Sequence, residues 1–221
     1  MANASFTKDE AILALDVLYS LKGHRALPNS SEMNELSSLL KRLPIHNIDK
    51  QNADFRSPSG IANQLNLFQR SLASGKKHPN VGKMFFDVAF EYEHKQDELH
   101  ATAQAIRRNE AFFDDAYNSI DAVERFPEGI LLGRLHRKLE SRASARVTLS
   151  NCCAICNIKP ELCYQPCGNL LQLHLLVSPS RLNGEKKYSA NSFITVCPTC
   201  HAALHAYRPW RTNENCGDIL R

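Results

Sequence analysis

Apolar residues recur every three or four positions through much of the first 125 residues, a spacing that predicts amphipathic helices. Thr7 and Glu10 form the N-cap and third-position pair that opens a helix. The helical runs predicted in this region span 7–23, 30–43, 58–72, 82–93, 96–108 and 114–123. The pattern therefore predicts a mainly helical N-terminal domain over residues 1–125.

A different pattern follows the segment 125–129, where the sequence predicts a domain boundary. Apolar positions then repeat every four residues, at Leu131, Leu135, Leu139, Ala143 and Val147. A basic row runs parallel to them, at Arg134, Lys138, Arg142 and Arg146. Glu140 alone interrupts the positive balance. We therefore predict a linker helix over 126–150 that either lies along a phosphate backbone or is simply solvated.

Residues 151–221 predict a small domain of two strands and a helix. Strands are predicted at 170–177 and 192–196, separated by a polar loop that reaches Tyr188, and a short helix is predicted at 198–206. This order would bring His174 on the first strand opposite His201 on the helix. The predicted fold class is therefore α+β, with a mainly helical N-terminal domain followed by a small metal-stapled finger.

Two Cys-x-x-Cys pairs bracket the predicted strands, Cys153 with Cys156 and Cys197 with Cys200. A two-residue spacer lets both thiolates of a pair face one ion, and four thiolates complete the closed tetrahedral shell of a structural Zn²⁺. Unconnected buried cysteines are the alternative, and Cys152 is a weaker candidate in place of Cys153. No role is assigned to the remaining cysteines, Cys163, Cys167 and Cys216.

Charge and composition limit the classes of partner that this chain is expected to bind. Its 221 residues carry a formal net charge of +4, which permits a nucleic-acid partner without requiring one. The sequence shows no signal-peptide pattern, and no apolar run approaches the ~18 residues that cross a bilayer. We therefore expect no membrane partner and a cytoplasmic location, where eight cysteines favour thiolate–metal chemistry over disulfides.

The helix predicted at 58–72 has amide groups on its polar side. Asn63, Gln64 and Asn66 are expected on that side, together with Gln69 and Arg70. Amide and guanidinium groups suit base edges and phosphates, so these residues are candidate DNA contacts. An ordinary solvated face is the competing interpretation.

Several segments together resemble the HNH endonuclease superfamily, and most closely McrA-like restriction endonucleases. The matching segments are 128–136, 153–156, 171–174, 197–201 with His205, and 208–210. Upstream, 55–61 and 63–66 are similar to a helical domain often found before such nucleases, which adds Arg56 to the candidate DNA contacts. The resemblance implies a ββα-metal fold for residues 151–221.

The chemistry implied by this resemblance is phosphodiester hydrolysis, with one divalent cation, commonly Mg²⁺, held by His174 and His201. In the family, a histidine that activates water follows the strand residue at once, but here Leu175 stands in that position and cannot accept a proton. The position that supports the base falls on Ser192, with Asn191 adjacent. His205 or a bound water would have to take over the role of the missing base.

The expected function is a metal-dependent DNA endonuclease of restriction or phage defence. Its partner would be double-stranded DNA, with a requirement for cytosine modification left open, and a homodimer would let two centres cut both strands. Two alternatives stay open. One is a degenerate HNH protein that binds DNA without hydrolysing it, which Leu175 favours. The other is a zinc-ribbon module that binds an acidic protein surface.

Overall fold

The computed structural model describes residues 4–46, 54–113, 129–144, 150–163 and 170–207. These residues form a mixed α+β protein that is mostly helical, which confirms the coarse fold class predicted from the sequence. The chain divides into two compact units, Met1–Ala122 and Val123–Arg221. Within the described ranges, no helix combines the length and the apolar character needed to cross a bilayer.

The first unit is built around its first helix. Its helices are α1 (Lys8–Ser20), α2 (Ser31–Arg42), α3 (Pro58–Ser74), α4 (Lys83–Glu91) and α5 (Gln96–Arg108). The capping box predicted at the start of α1 is present: Thr7 accepts a hydrogen bond from the Glu10 N–H, and Glu10 Oε2 accepts one from the Thr7 N–H at 2.8 Å. Helix α1 contacts each of the other four helices, so its apolar residues form the centre of the core.

Helix α3 shows how local signals set the ends of these helices. The Ser57 hydroxyl accepts a hydrogen bond from the Gly60 N–H at the N-cap, and Pro58 occupies the first turn. Gly75 ends the helix with a φ of +66°, a left-handed conformation that glycine adopts without a steric penalty. Leu72, expected on the apolar side, is 51% exposed. The helix predicted at 114–123 lies outside the described residues.

The second unit joins helices to a two-stranded sheet. Its elements are α6 (Ile130–Ser144), α7 (Pro160–Cys163), β1 (Gln172–Leu175), β2 (Phe193–Val196) and α8 (Pro198–Tyr207). The strands are antiparallel, with His174 opposite Ile194 and Leu175 opposite Phe193. Helix α6 packs on β1, and α8 also contacts that strand. The sheet therefore brings two helices that are distant in the sequence to the same strand.

The buried face of α6 is wider than the predicted apolar row. Leu131, Leu135 and Leu139 are buried as predicted, and so are the residues of the adjacent row, Leu132, His136 and Glu140. Residues four apart lie on one side of a helix, so this second row also faces the interior. Two polar side chains consequently enter the core of the second unit beside β1.

Candidate metal centres

Four cysteine thiols converge in the second unit, at what we call the sulfur centre: Cys153, Cys156, Cys197 and Cys200. Their Sγ atoms all lie within 4.8 Å of one another, and those of Cys156 and Cys197 are 3.8 Å apart. This arrangement is compatible with a structural zinc site. Among the described cysteines, Cys152 and Cys163 lie outside the group, and Cys167 and Cys216 lie outside the described residues.

Backbone geometry shapes the first cysteine pair. The chain turns after Cys156, where Asn157 has a left-handed φ of +58° and its N–H donates to the Cys153 carbonyl at 2.9 Å. Asparagine tolerates that conformation better than most residues do. The Ala154 N–H donates to the Thr195 carbonyl at 2.8 Å, which ties the turn to β2. The two-residue spacer is thereby held against the strand that leads into the second pair.

The pKa values of Cys153 and Cys200 in the sulfur centre are shifted in opposite directions. Burial opposes ionisation of Cys153, but hydrogen bonds from backbone N–H groups, first that of Cys156, lower its pKa to about 7. Burial raises the pKa of Cys200, and the neighbouring cysteines raise it further. Thiolates so close together repel one another, so all four ionise together only around a cation.

A second convergence, which we call the Glu140 centre, contains Glu140, His174, His201 and His205. One ligand atom from each residue lies within 4.8 Å of the others. Glu140 and His205 are each 4% exposed, and His174 is completely buried. The residues come from α6, β1 and α8, so the centre is assembled from three separate elements. It brings together the three histidines predicted as catalytic and adds a carboxylate that was not predicted.

The two oxygens of Glu140 have different surroundings. Oε1 accepts a hydrogen bond from the Leu175 N–H at 2.9 Å and lies 3.0 Å from His174 Nδ1. Oε2 lies 3.0 Å from His205 Nε2 and 3.2 Å from His201 Nε2, and these two nitrogens are 3.1 Å apart. One oxygen is therefore held at the strand, and the other faces the pair of histidines on α8.

Electrostatics favour the ionised form of Glu140. Burial alone would raise its pKa, but the side-chain contacts with the rings of His174, His201 and His205 hold the pKa far below the usual range of a glutamate. The carboxylate is therefore negative at neutral pH. A buried negative charge beside three ring nitrogens is an environment that attracts a cation.

Two further side chains support this centre from outside. His136 Nε2 donates to the Leu175 carbonyl at 2.6 Å, and it lies one helical turn before Glu140 on α6. Gln172 Oε1 accepts a hydrogen bond from His201 Nδ1. Residues that bind the far side of a histidine fix its orientation. Gln172 is therefore a positioning residue for His201. His136 acts on the centre indirectly, because it binds the backbone of Leu175, whose N–H binds Glu140.

An open cleft of about 550 Å³ leads to the Glu140 centre. Its lining includes Glu140, His201 and His205 from the centre, and Gln172 and Arg137 beside them. Arg137 is exposed and lies three residues before Glu140 on the same helix. The centre thus has an access route, and a guanidinium group lines that route.

The Mg²⁺ expected from the resemblance does not fit this donor set. Magnesium binds oxygen ligands and keeps several waters, whereas the Glu140 centre offers three imidazole nitrogens and one carboxylate. Imidazole suits transition metals such as iron, nickel and zinc. The expectation of a divalent cation stays a prediction, and this donor set does not support magnesium as that cation.

Ser192 and Asn191, predicted to support a base, lie in the turn before β2. The hydroxyls of Ser192 and Ser189 are in contact, and the Ser192 carbonyl accepts a hydrogen bond from the Leu176 N–H. Asn191 is exposed. Neither makes a hydrogen bond to the Glu140 centre in the described part of the chain. Their predicted catalytic role stays a prediction that no described contact supports, since both residues precede the part of β2 that pairs with β1.

Arg56 and Asn66 are corrected as DNA contacts because both are buried. Arg56 is 4% exposed, and its guanidinium pairs with Glu10 at 2.6 Å and 2.8 Å. The Asn66 side chain accepts from the Ala26 N–H and donates to the Ala26 carbonyl. Both residues stabilise the interior of the first unit, so their polar groups are not presented to a ligand.

The other candidate DNA contacts have mixed positions. Asn63 is exposed on α3, and Gln64 is half-buried and donates to the Asn80 carbonyl at 3.0 Å. On α6, Arg142 is exposed, and Arg134 and Lys138 are half-buried. Arg146 lies outside the described residues. Contacts between these residues and DNA stay predictions.

Sequence reasoning missed Glu140, His136, Gln172 and Arg137. In the sequence, Glu140 stands out only as an acidic residue among the basic residues of its helix. A signal was present, since His136 and Glu140 stand four residues apart and continue the row that begins at Leu132. Polar residues in an apolar row of a helix are candidates for a buried site.

Comparison of the chain with protein-family models, with curated proteins and with solved structures finds no match in any of the three. The HNH resemblance therefore stays a prediction.

Proposed function

We propose that the second unit is a metal-dependent phosphodiester hydrolase of the HNH endonuclease type, acting on double-stranded DNA. The observation that carries the proposal is the Glu140 centre, where a buried carboxylate and three histidines converge beside an open cleft. A divalent cation at such a centre supplies Lewis-acid stabilisation of charge on a phosphoryl group. Restriction or phage defence as the biological setting rests on the sequence resemblance alone.

Each residue of the centre has a defined part in this proposal. Glu140, His174, His201 and His205 hold the cation. Leu175 takes part through its backbone, because its N–H holds Glu140 Oε1 while its side chain is completely buried. The position where the family carries a base histidine therefore supports a metal ligand instead.

Substrate binding is assigned to the basic side chains of α6. Arg137 lines the cleft, and a guanidinium group can donate two parallel hydrogen bonds to a phosphate. Arg134, Lys138 and Arg142 are spaced by four residues along the helix and would contact neighbouring phosphates. A duplex bound along α6 would thus present one phosphodiester to the Glu140 centre.

The test is cleavage of supercoiled plasmid by the full chain, on unmodified and cytosine-modified DNA, with Mn²⁺, Co²⁺, Ni²⁺ or Mg²⁺ and with an EDTA control. We expect cutting that needs a transition metal and is abolished in Glu140→Gln and in His201→Ala. Glu185→Gln, which changes an exposed glutamate, is the matched control and should cut normally. Cutting that survives both substitutions in the centre would contradict the proposal.

A DNA-binding protein without hydrolytic activity is the second candidate, and Leu175 is the observation that favours it. Its side chain is buried and has no atom that accepts a proton. Duplex binding that weakens steeply with salt, together with no cleavage under any metal, would support this candidate. Cleavage gained only by Leu175→His would identify a retired active site.

A further inference from the structure

We infer that the Glu140 centre is a transition-metal site with four protein ligands, Glu140, His174, His201 and His205, and that it prefers Mn²⁺, Fe²⁺, Co²⁺ or Ni²⁺ to Mg²⁺. This deepens the proposed function and rests on it for the claim that coordination positions stay open to a phosphate. It goes beyond the two histidines implied by the resemblance, because Glu140 and His205 join the ligand set.

The first support is convergence in a buried place. The four ligand atoms lie within 4.8 Å of one another, and three of the four side chains are more than nine-tenths buried. Removing a carboxylate from water costs several kcal/mol unless a positive charge compensates it. One divalent cation bound by the four ligand atoms would neutralise this buried charge.

The second support is the tautomer of His201. Gln172 Oε1 is an acceptor, so His201 Nδ1 carries the proton of that hydrogen bond. In the neutral ring, Nε2 then presents its lone pair, and Glu140 Oε2 presents another from 3.2 Å away. Two lone pairs at this distance are stabilised by a cation that both can bind. An outer acceptor on the far nitrogen is also the usual setting of a metal-bound histidine.

A proton is the rival occupant of this space. His205 Nε2 lies 3.0 Å from Glu140 Oε2 and 3.1 Å from His201 Nε2, so one proton on His205 could be shared between two acceptors. His174 takes no part in that shared contact, because its Nδ1 lies 3.0 Å from the other oxygen, Glu140 Oε1. A metal ion binds all four ligand atoms at once, which is why we favour it over the proton.

The third support is the way Glu140 is held. Both backbone polar groups of Leu175 are hydrogen-bonded to α6. Its N–H donates to Glu140 Oε1, and its carbonyl accepts from His136 Nε2. His136 is buried on α6, one turn before Glu140. The helix and the strand therefore fix the carboxylate so that Oε2 faces His201 and His205. A carboxylate prepositioned in this way loses little conformational freedom when it binds a metal.

The choice of ion follows from the ligands. Three imidazoles and one carboxylate favour a transition metal over Mg²⁺, whose sites are built from oxygen atoms. Zinc with four protein ligands would form a closed tetrahedral site and would leave no position for substrate. An ion that takes six ligands keeps two positions open after binding these four side chains. The proposed hydrolysis needs such positions for a phosphate oxygen and a water.

The experiment is metal analysis of the full chain without DNA, after dialysis against Co²⁺ and, separately, Mn²⁺ or Mg²⁺. We expect bound Co²⁺ in addition to zinc, a visible absorption spectrum of six-coordinate Co²⁺, and no displacement by excess Mg²⁺. His201→Ala should lose the Co²⁺ and its spectrum while keeping its zinc. His94→Ala, which removes an exposed histidine of the first unit, is the control and should behave as the parent chain does.

Gln172→Ala gives a second test that does not depend on a buried substitution, since Gln172 is exposed. Loss of an outer partner of a metal ligand weakens metal affinity about 10–100-fold, and we expect a shift of this size for Co²⁺. Absence of Co²⁺ binding, equal binding by His201→Ala, or zinc filling both centres would overturn the inference. Co²⁺ binding without DNA cleavage would leave the inference standing and refute the proposed function instead.

Discussion

Each unit of this protein buries a glutamate, and the two glutamates have different partners. In the first unit, Glu10 is bridged by the guanidinium of Arg56, whose remaining donors bind the carbonyls of Ala4 and Ser5. In the second unit, the contacts described for Glu140 come from histidine rings and the Leu175 N–H. A histidine is charged only when protonated, whereas an arginine is always charged.

This difference in partners distinguishes the structural ion pair of Glu10 from the candidate metal site at Glu140. The pair formed by Glu10 and Arg56 supplies its own positive charge, and Arg56 also stacks over Phe6 at 3.9 Å. The Glu140 centre presents lone pairs that a cation from solution can bind. The first unit is therefore expected to be stable without metal. The second unit is expected to need metal at the sulfur centre, and the proposed function assigns its catalytic cation to the Glu140 centre.

The largest expected effect is loss of the sulfur centre. Cys156→Ser should unfold the strands and α8 of the second unit, because a structural Zn²⁺ contributes on the order of 10 kcal/mol to a small domain. The backbone amides of the first unit should stay protected from hydrogen exchange. Hydrogen exchange resolved along the chain measures both, with the exposed Cys163→Ser as the matched control. A second unit that stays protected in Cys156→Ser without zinc would show that it folds by packing alone.

Removal of Glu10 comes next in size. Glu10→Ala leaves the charge of Arg56 buried, which should lower the free energy of unfolding of the first unit by about 3–5 kcal/mol. Urea denaturation followed by hydrogen exchange measures this loss. Glu140→Ala is the comparison. In protein that keeps zinc at the sulfur centre but receives no other divalent cation, this variant should cost the second unit less, because the histidines can lose their charge. Equal losses in both variants would remove the distinction between the two glutamates.

A smaller effect is expected within α3. Asn66→Ala should destabilise the first unit by about 1–3 kcal/mol, because the Ala26 N–H and carbonyl lose their buried partner. Asn63→Ala, which changes an exposed amide on the same helix, should leave the midpoint of thermal unfolding unchanged. If Asn63→Ala proved as destabilising as Asn66→Ala, the burial assigned to these two side chains would be wrong.

The smallest effect concerns acid stability. Burial opposes ionisation of Glu10, but its hydrogen bonds to His46 and Arg56 lower its pKa below the ordinary value of 4.5. The unfolded chain therefore takes up the proton first, so this contribution to stability is present above about pH 4.5 and is lost as the pH falls further. Glu10→Gln should therefore make the free energy of unfolding of the first unit less dependent on pH below about 4.5, as measured by denaturation curves at several pH values. If the pH dependence of unfolding were unchanged in this variant, carboxyl groups other than Glu10 would be responsible for it.

Much of the fold was accessible from the sequence because its signals are local. The capping box at Thr7 and the start of α3 at Pro58 depend only on neighbouring residues. The spacing of the cysteine pairs is local in the same sense, since each pair needs one turn of chain.

The rest required contacts between distant residues. Glu140 resembles a surface charge within its own helix, and it becomes part of a site only through Leu175 and His205, which lie 35 and 65 residues away in the sequence. Arg56 was expected at a surface, yet Glu10 binds it in the interior from 46 positions earlier. Periodicity indicates which side of a helix is apolar, but it does not reveal which charge finds a partner inside.

The most direct measurement is anomalous diffraction from crystals of the full chain grown with Co²⁺, recorded at the zinc and cobalt absorption edges. We expect a zinc peak among the four cysteine sulfurs and a cobalt peak bound by Glu140, His174, His201 and His205. A structure with zinc at the sulfur centre and no metal peak at the Glu140 centre would contradict the assignment of two metal centres to the second unit.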